Sequence, residues 1–237
     1  MPWTRPIRRF STPSSAVRSF EVLPELDFVE TPIGMISIAT RRVGGNIWAR
    51  MVEAVLPNLQ HVAPIWEDDH QEHSFIGPMM SRWIVPVDDT KMMFIEFRHV
   101  SETEGVTPAC WADRDTTLPG QLPADFYDAG HRRPCDYEAQ VSQRPIAIHG
   151  LEHLGATDRG VTMFCDQIRR GVRAIRAGQD PAGLCCYANG LVPTYCNDTV
   201  VCVPVAGNVV TDREAMRATG RRLAEAYFKD PPLVKRC

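Results

Sequence analysis

The chain has 237 residues, of which 44% are hydrophobic and 23% charged, and its formal net charge at pH 7 is −3. This composition is typical of a globular protein with one large domain or two small ones. The near-balance of charge gives no sign of a nucleic-acid partner, and no stretch reaches transmembrane length, so no membrane partner is predicted. Eight cysteines without a compact disulfide spacing or a signal peptide predict reduced thiols and a cytoplasmic location.

Residues 1–20 differ in composition from the rest of the chain. They read MPWTRPIRRFSTPSSAVRSF, which is rich in Arg and Ser and contains no acidic residue. Such a composition is typical of a transit peptide or of a disordered arm, while three prolines oppose an amphipathic helix. We therefore expect residues 1–19 to form no packed secondary structure.

The first half of the chain predicts an antiparallel sheet with two hairpins. Gly44-Gly45 separates two strand-like runs, MISIATRRV and IWARMVEAV. Asp88-Asp89 separates SRWIVPV from KMMFIEFRHV in the same way. Residues 105–135 contain many prolines and glycines and predict a loop.

The second half predicts two helices. The first has Thr157 as its N-cap and Gly178 at its end, with an apolar face of Val161, Phe164, Ile168, Val172 and Ile175. The second starts at a capping box from Thr211 to Glu214, ends before Pro231-Pro232, and has an apolar face of Met216, Leu223 and Tyr227. Between them, NDTVVCVPVAGNVV predicts strand, turn and strand. Strands followed by helices favour an α+β fold.

Two histidine clusters are candidate metal sites. In EDDHQEH, His70 and His73 stand beside four acidic residues, but a solvated loop between strands is the favoured interpretation. In HGLEH, His149 and His153 are four residues apart, which places both on one face if the segment is helical. Nearby glycines and the lack of an H-E-x-x-H pattern favour a structural or surface role, and a hydrolytic metal site here stays open.

The stretch CDYEAQVSQRPIAIHGLEHLGATDRGV, residues 135–161, resembles the catalytic domain of Rieske non-haem iron oxygenases. The similarity is to the phthalate 4,5-dioxygenase and aromatic O-demethylase branch, in which an acid, x-x-x-Q, Gln-x-Pro-Ile and Glu-His-Leu-Gly-x-Ser/Thr-Asp recur. Residues 28–58, FVETPIGMISIATRRVGGNIWARMVEAVLPN, resemble the substrate-domain sheet of the same family. The resemblance covers about residues 20–230 and implies a helix-grip (START-like) fold, with an antiparallel sheet packed against long C-terminal helices.

The resemblance also implies the cofactors. A mononuclear Fe(II) is held by two His and one carboxylate, and Asp136 matches the carboxylate ligand. Electrons reach the iron from a [2Fe–2S] centre in an N-terminal domain. The family's two iron histidines lie in an Asp-Pro-x-His-x4-His motif, which this chain lacks. We therefore expect little activity from the polypeptide as written.

Residues 1–19 stand where that histidine motif is expected, and they permit a second reading. If the DNA that encodes these residues is read in a shifted frame, the codons of Trp3-Thr4 must give Asp, because Trp has a single codon. The same shift permits His from the codons of Pro6-Ile7 and from those of Ser11-Thr12. The permitted sequence MDPAHTAFLHTIVSGSQF is similar to the family's iron-binding segment. This predicts an aberrant segment at 1–19 and an oxygenase catalytic domain at 20–237, while a native basic arm stays the alternative.

The implied activity is oxidation of an aromatic compound, by ring hydroxylation or O-demethylation, with O2 and electrons from a reductase or ferredoxin. The resemblance further implies that the parent protein is a homotrimer or hexamer. Pocket residues are expected near Trp48, Arg50 and Trp83 on the sheet. The alternative is a non-catalytic small-molecule-binding domain of the same fold, because a fold alone does not fix a function.

Overall fold

A computed structural model describes most of the chain as two compact units. The larger unit contains Met1–Trp83, Glu96–His99 and Gly155–Cys237, and the smaller contains Ile84–Ile95 and Val100–Leu154. The residues described are 22–65, 72–99, 143–184 and 192–232. The segment 1–19, the predicted loop 105–135, His70 and Asp136 lie outside these ranges.

The described residues form an eight-stranded antiparallel sheet with two α-helices, which confirms the predicted α+β class. The strand order is β1-β2-β3-β4-β6-β7, and β8 pairs with both β3 and β5. The strands are β1 Glu25–Thr31, β2 Gly34–Val43, β3 Asn46–Val55, β4 Leu59–Val62, β5 His73–Ile76, β6 Met80–Pro86, β7 Met92–Arg98 and β8 Asn197–Cys202. The helices are α1 Arg159–Arg176 and α2 Val209–Lys229.

Both predicted hairpins are confirmed. Strands β2 and β3 pair in register from Gly34 opposite Val55 to Val43 opposite Asn46, and Gly44 at the turn has a φ of +59°. A positive φ is easily adopted by glycine, which accounts for the Gly-Gly turn. The second hairpin joins β6 to β7 around Asp88, whose carboxylate accepts hydrogen bonds from the backbone N–H and the hydroxyl of Thr90.

Strand β3 is the centre of the larger unit. It pairs with β2 along its whole length, with β8 over Asn46–Met51, and with β4 over Glu53–Val55. Helix α2 covers one face of this region, where the core consists of Ile36, Ile38, Met51, Tyr195, Ala224 and Tyr227. We call this side of the sheet the helix-facing face. The opposite face carries a second cluster formed by Trp48 and Val200.

Helix α2 starts earlier than the sequence predicted. Its N-cap is Asn208, whose side-chain oxygen accepts hydrogen bonds from the N–H groups of Val210 and Thr211. The predicted capping box from Thr211 to Glu214 is therefore wrong, and so is the second strand predicted before it. The predicted apolar face is confirmed, since Met216 and Tyr227 are buried and Leu223 packs against the core.

Helix α1 forms where predicted, but a different face contacts the sheet. It begins at Arg159 after a 3-10 turn at Ala156–Asp158, so Thr157 is not its N-cap. The buried positions are Gly160 and Gln167, and the Gln167 side-chain amide donates to the Gly34 carbonyl at 2.6 Å. Of the predicted apolar face, Val161, Val172 and Ile175 are exposed. Gly178, with a φ of +71°, follows the end of the helix as predicted.

In the described part of the smaller unit, a 3-10 turn at His149–Leu151 is the only helical element. Among the helices in the described ranges, none combines the length and apolar character that crossing a membrane requires.

Candidate functional site

A row of polar side chains crosses the helix-facing face of the larger unit. Strand pairing places Glu53 of β3 opposite His61 of β4, and His61 opposite Ser81 of β6. Directly opposed residues project from the same face of a sheet, so these three side chains share the face that contains Met51. His99, which follows β7, joins the row through a hydrogen bond to Ser81.

The hydroxyl of Ser81 lies between two imidazole rings. Its Oγ is 2.9 Å from Nδ1 of His61 and 2.9 Å from Nε2 of His99. Ser81 is buried, His61 is partly buried and His99 is exposed. Burial of His61, together with the nearby His99, lowers the pKa of His61 below its ordinary value of 6.5. This shift favours the neutral form of His61 at pH 7.

Glu53 is a fully buried carboxyl group at the other end of this row. Its side chain is 0% exposed, and Oε2 accepts hydrogen bonds from the Thr194 hydroxyl at 2.6 Å and from the Tyr195 N–H at 3.2 Å. Oε1 has no hydrogen-bond partner among the described residues. Burial raises the pKa of Glu53 above 4.5, and the bonds from Thr194, Tyr195 and Cys196 oppose that shift. Desolvation is the larger effect, so the protonated form is favoured relative to a free glutamate.

On the opposite face, Asp198 of β8 joins two aromatic side chains. Its carboxylate accepts a hydrogen bond from the Trp48 indole and lies 2.8 Å from Nε2 of His73. Asp198 is 1% exposed and Trp48 is fully buried. Arg50 lies on this face and donates to the carbonyls of Ala63 and Pro64 at 2.7 and 3.1 Å. The two contacts of Asp198 connect β8 with β3, through Trp48, and with β5, through His73.

The three residues expected near a pocket, Trp48, Arg50 and Trp83, contact neighbouring protein groups and do not all lie on one face of the sheet. Trp48 bonds to Asp198, and Arg50 caps backbone carbonyls, both on the face away from α2. Trp83 packs edge-to-face on Phe97, with ring centres 5.6 Å apart. Since Trp83 lies two residues after Ser81, it is on the helix-facing face beside the polar row.

The two histidine clusters separate into different environments. His73 lies in β5 and bonds to Asp198, so the solvated-loop interpretation of EDDHQEH is wrong at this residue. His149 and His153 are both exposed, which confirms their surface position. His149 pairs with Glu152 of its own 3-10 turn at 2.8 Å.

The described residues by themselves do not fit an iron site. Within the ranges that the structure describes, no group of three or more His, Cys, Asp or Glu side chains is placed to hold a metal ion. A facial triad needs two imidazoles and a carboxylate converging on one point. The predicted carboxylate ligand, Asp136, lies outside these ranges, so its role stays a prediction.

Among the known proteins that share sequence with this chain, two are named as oxygenase subunits. The oxygenase subunit of Aquincola tertiaricarbonis named tert-butanol monooxygenase / tert-amyl alcohol desaturase is 41% identical over 170 residues, which are 68% of this chain and 36% of that protein. The phenoxybenzoate dioxygenase subunit alpha of Ectopseudomonas oleovorans is 28% identical over 172 residues, 70% of this chain and 38% of that protein. This chain is related to oxygenase subunits. It spans a little over a third of the length of these relatives, and no protein-family model matches it.

Sequence patterns do not reveal the polar row on the helix-facing face of this oxygenase-related chain. No short motif contains His61, Ser81 and His99, because the two histidines lie 38 positions apart along the chain. Glu53 gave one usable signal, since a charged residue in the apolar run IWARMVEAV is unusual at a buried strand position. Only the strand register brings these residues to one face.

Proposed function

We propose that this chain is part of the catalytic domain of a Rieske-type non-haem iron oxygenase, which oxidises an organic substrate with O2. The observation that carries the proposal is the 41% identity over 170 residues to a protein named as an oxygenase subunit. The α+β fold, with a helix packed on an antiparallel sheet, agrees with the catalytic domain that the sequence resembles. Both relatives bear names of oxygenase subunits, which does not favour a non-catalytic binding domain.

The substrate class is proposed more broadly than the aromatic compounds expected from the sequence. One relative is named for tertiary alcohols and the other for the aromatic phenoxybenzoate. These names do not select the phthalate dioxygenase or O-demethylase branch. The proposed substrate is therefore a small organic molecule, either aromatic or alcoholic, and electrons would come from a reductase or ferredoxin.

Asp136 is the proposed carboxylate ligand of Fe(II), and the two imidazoles are proposed to come from the reframed segment. In MDPAHTAFLHTIVSGSQF the two histidines are five residues apart, a little over one helical turn. Two such imidazoles and one carboxylate make up the ligand set of a facial triad, which keeps open positions for O2. A [2Fe–2S] centre would be carried by a region outside this chain.

Metal content after anaerobic loading with Fe(II) and desalting tests this proposal. In a variant with residues 1–19 replaced by the reframed segment, we expect about one iron per chain, the stoichiometry of a mononuclear site. We expect no specific iron in the chain as given. Asp136→Ala in the reframed variant should abolish binding, whereas Asp180→Ala, which removes an exposed carboxylate, should retain it. Iron retained after Asp136→Ala would reject the ligand assignment.

A further inference from the structure

A surface cavity of about 490 Å³ lies along one side of α1. Its lining residues on the helix recur every three or four positions, so they form a single stripe, and Glu30 of β1 completes the lining. Arg159 and Arg173 are 14 positions apart, which corresponds to about 21 Å along the helix axis. We call this cavity the arginine groove, and its polar lining consists of Glu30, Arg159, Thr162, Asp166, Arg170 and Arg173.

Two carboxylates of β1 contact arginines of the groove without using all of their donors. Nη2 of Arg170 lies 2.7 Å from Oε1 of Glu30, in a pair that is 55% and 47% exposed. Asp27 is already bonded to Arg221, whose Nε donates to Oδ2 at 2.8 Å. Arg159 is a second arginine beside Asp27, with Nη2 3.8 Å from Oδ1. Because a guanidinium carries five N–H donors, Arg159 and Arg170 can each bind a further acceptor.

Arg173 adds a positive charge that no carboxylate balances. Its side chain has no hydrogen-bond or ion-pair partner within the ranges that the structure describes. Asp166 is paired with Arg169, at 2.9 Å. Five arginines therefore accompany three carboxylates along the groove, whereas the formal net charge of the whole chain is −3. The groove is a local basic site on a chain of negative net charge.

The length of the arginine groove suits an extended acidic peptide. Six residues of an extended chain span about 20 Å, close to the axial separation of Arg159 and Arg173. A single small anion is too short to contact both ends of the groove. Among the described lining residues none is aromatic, so the bases of a single-stranded nucleic acid would have no ring to stack on.

We propose that the arginine groove binds an extended acidic segment of a partner protein, whose carboxylates pair with Arg159, Arg170 and Arg173. Arginine suits this contact, because its planar guanidinium can make two hydrogen bonds to one carboxylate. Helix α1 of a second copy is a poor occupant, since the helix carries five arginines and one aspartate and would repel its own copy. The contact involves no iron and does not depend on the proposed oxygenase chemistry.

Hexaglutamate labelled with a neutral fluorophore tests the groove, with the chain as given and fluorescence anisotropy at pH 7.5. Ionised glutamates repel one another, which keeps the peptide extended. We expect saturable binding at low salt that weakens as salt is added, because exposed charges are screened. As an unlabelled competitor, diglutamate should bind at least tenfold more weakly than hexaglutamate, because it is too short to contact all three arginines.

Charge variants distinguish the groove from a general attraction between the peptide and the protein. Arg173→Gln should weaken hexaglutamate binding about twofold to fivefold, the range for one exposed ion pair, and Arg173→Lys should retain most of the affinity. Asp166→Asn removes a carboxylate from the lining and should strengthen binding about twofold. The matched control is Arg222→Gln, which removes the same charge from an exposed position of α2 outside the groove and should leave the affinity unchanged.

Three results would overturn the proposal. The first is the absence of saturable hexaglutamate binding, and the second is an equal loss of affinity in Arg173→Gln and Arg222→Gln. The third is equally tight binding of a different class of polyanion, measured with hexathymidylate and with vesicles of phosphatidylserine and phosphatidylcholine. We expect both of these probes to bind at least fivefold more weakly than hexaglutamate.

Discussion

Arg42 of β2 and Asp212 in the first turn of α2 form a two-point ion pair. Nη2 of Arg42 lies 2.6 Å from Oδ1 of Asp212, and Nε lies 3.0 Å from Oδ2. Both side chains are largely shielded from solvent, with 14% and 11% exposure. Arg42 also donates to the Val203 carbonyl at 2.5 Å, and Asp212 accepts from the Ala206 N–H at 3.0 Å. The pair therefore joins the sheet, the connection after β8 and the start of α2.

Replacing Arg42 with lysine should destabilise the protein by about 1.5–3 kcal/mol, the range for hydrogen bonds to charged groups. Lysine keeps the charge but does not reproduce the planar fork that makes two bonds to one carboxylate. The measurement is the urea midpoint of unfolding at pH 7. Arg169→Lys is the matched control, because the Arg169–Asp166 pair is 51% and 59% exposed and should contribute less than about 1 kcal/mol. Equal losses in the two variants would contradict this prediction.

The same pair should make the protein sensitive to acid. The hydrogen bond from Arg42, followed by that from Ala206, lowers the pKa of Asp212 below its ordinary value of 3.8. A lowered carboxyl pKa contributes stability above pH 3.8 and loses it as the pH falls through the folded-state value. Asp212→Asn should therefore flatten the stability profile below pH 3.8, measured by thermal unfolding between pH 2 and 5. A variant profile that runs parallel to the parent profile would refute this assignment.

Two helical glycines provide a contrast in packing. A Cβ on Gly220 of α2 would lie 2.6 Å from Cγ2 of Thr40 and 2.9 Å from Cγ2 of Ile38, whereas one on Gly171 of α1 would meet Pro181 at 3.5 Å. Gly220→Ala should cost about 1–3 kcal/mol from overpacking, despite the better helix propensity of alanine. Gly171→Ala should instead stabilise the protein by about 0.5–1 kcal/mol. Thermal unfolding of both variants checks the predicted difference in sign.

Local turn sequences predict the hairpins of the sheet, whereas the sequence does not predict which face of α1 packs against it. Gly44-Gly45 and Asp88-Asp89 specify their hairpins within a few residues, so no distant information is needed. Helix α1 instead packs through Gly160, which lies against Phe28, and through Gln167, which bonds to a distant carbonyl. Glycine and glutamine do not indicate a buried helix face, so the apolar periodicity predicted the wrong packing face for α1.

The candidate site was less predictable than the fold for a similar reason. Ser81 contacts His61 and His99 only because β4 and β6 pair in one register, and sequence spacing does not fix that register. Resemblance to a family supplied Asp136, a role that stays a prediction. The helix start at Asn208 shows the same limit on a smaller scale. The run VVTDRE reads equally well as the end of a strand until the cap is known.

Asp198 should be essential to the packing of the face opposite α2. As a carboxylate it accepts from both Trp48 and His73, whereas asparagine would present an N–H group to one of these donors. Asp198→Asn should therefore cost about 1–3 kcal/mol, the penalty for a buried polar group left without a partner. Tryptophan fluorescence should report the change at Trp48, and urea unfolding its magnitude. Asp180→Asn, at an exposed position, should leave both signals unchanged.

Glu53 should make the protein less stable as the pH rises above 4.5. Because burial raises its pKa, the folded state holds a proton that the unfolded state has already released, so folding takes up a proton in this range. The contribution of Glu53 is most favourable below pH 4.5 and declines until the pH passes the folded-state value. The slope is at most about 1.4 kcal/mol per pH unit, the free energy that corresponds to one proton.

Glu53→Gln isolates this effect, because glutamine has nearly the same shape and stays uncharged. Its carbonyl oxygen can accept the hydrogen bonds that Thr194 and Tyr195 now donate to Oε2. We expect the free energy of unfolding of the variant to increase relative to that of the parent chain as the pH rises from 4.5 to 8. Urea unfolding at each pH measures this difference. Glu225→Gln, which neutralises an exposed carboxylate on α2, should follow the parent profile. If the parent and Glu53→Gln profiles ran parallel, Glu53 would be ionised to the same extent in the folded and unfolded chains, and burial would not control its protonation.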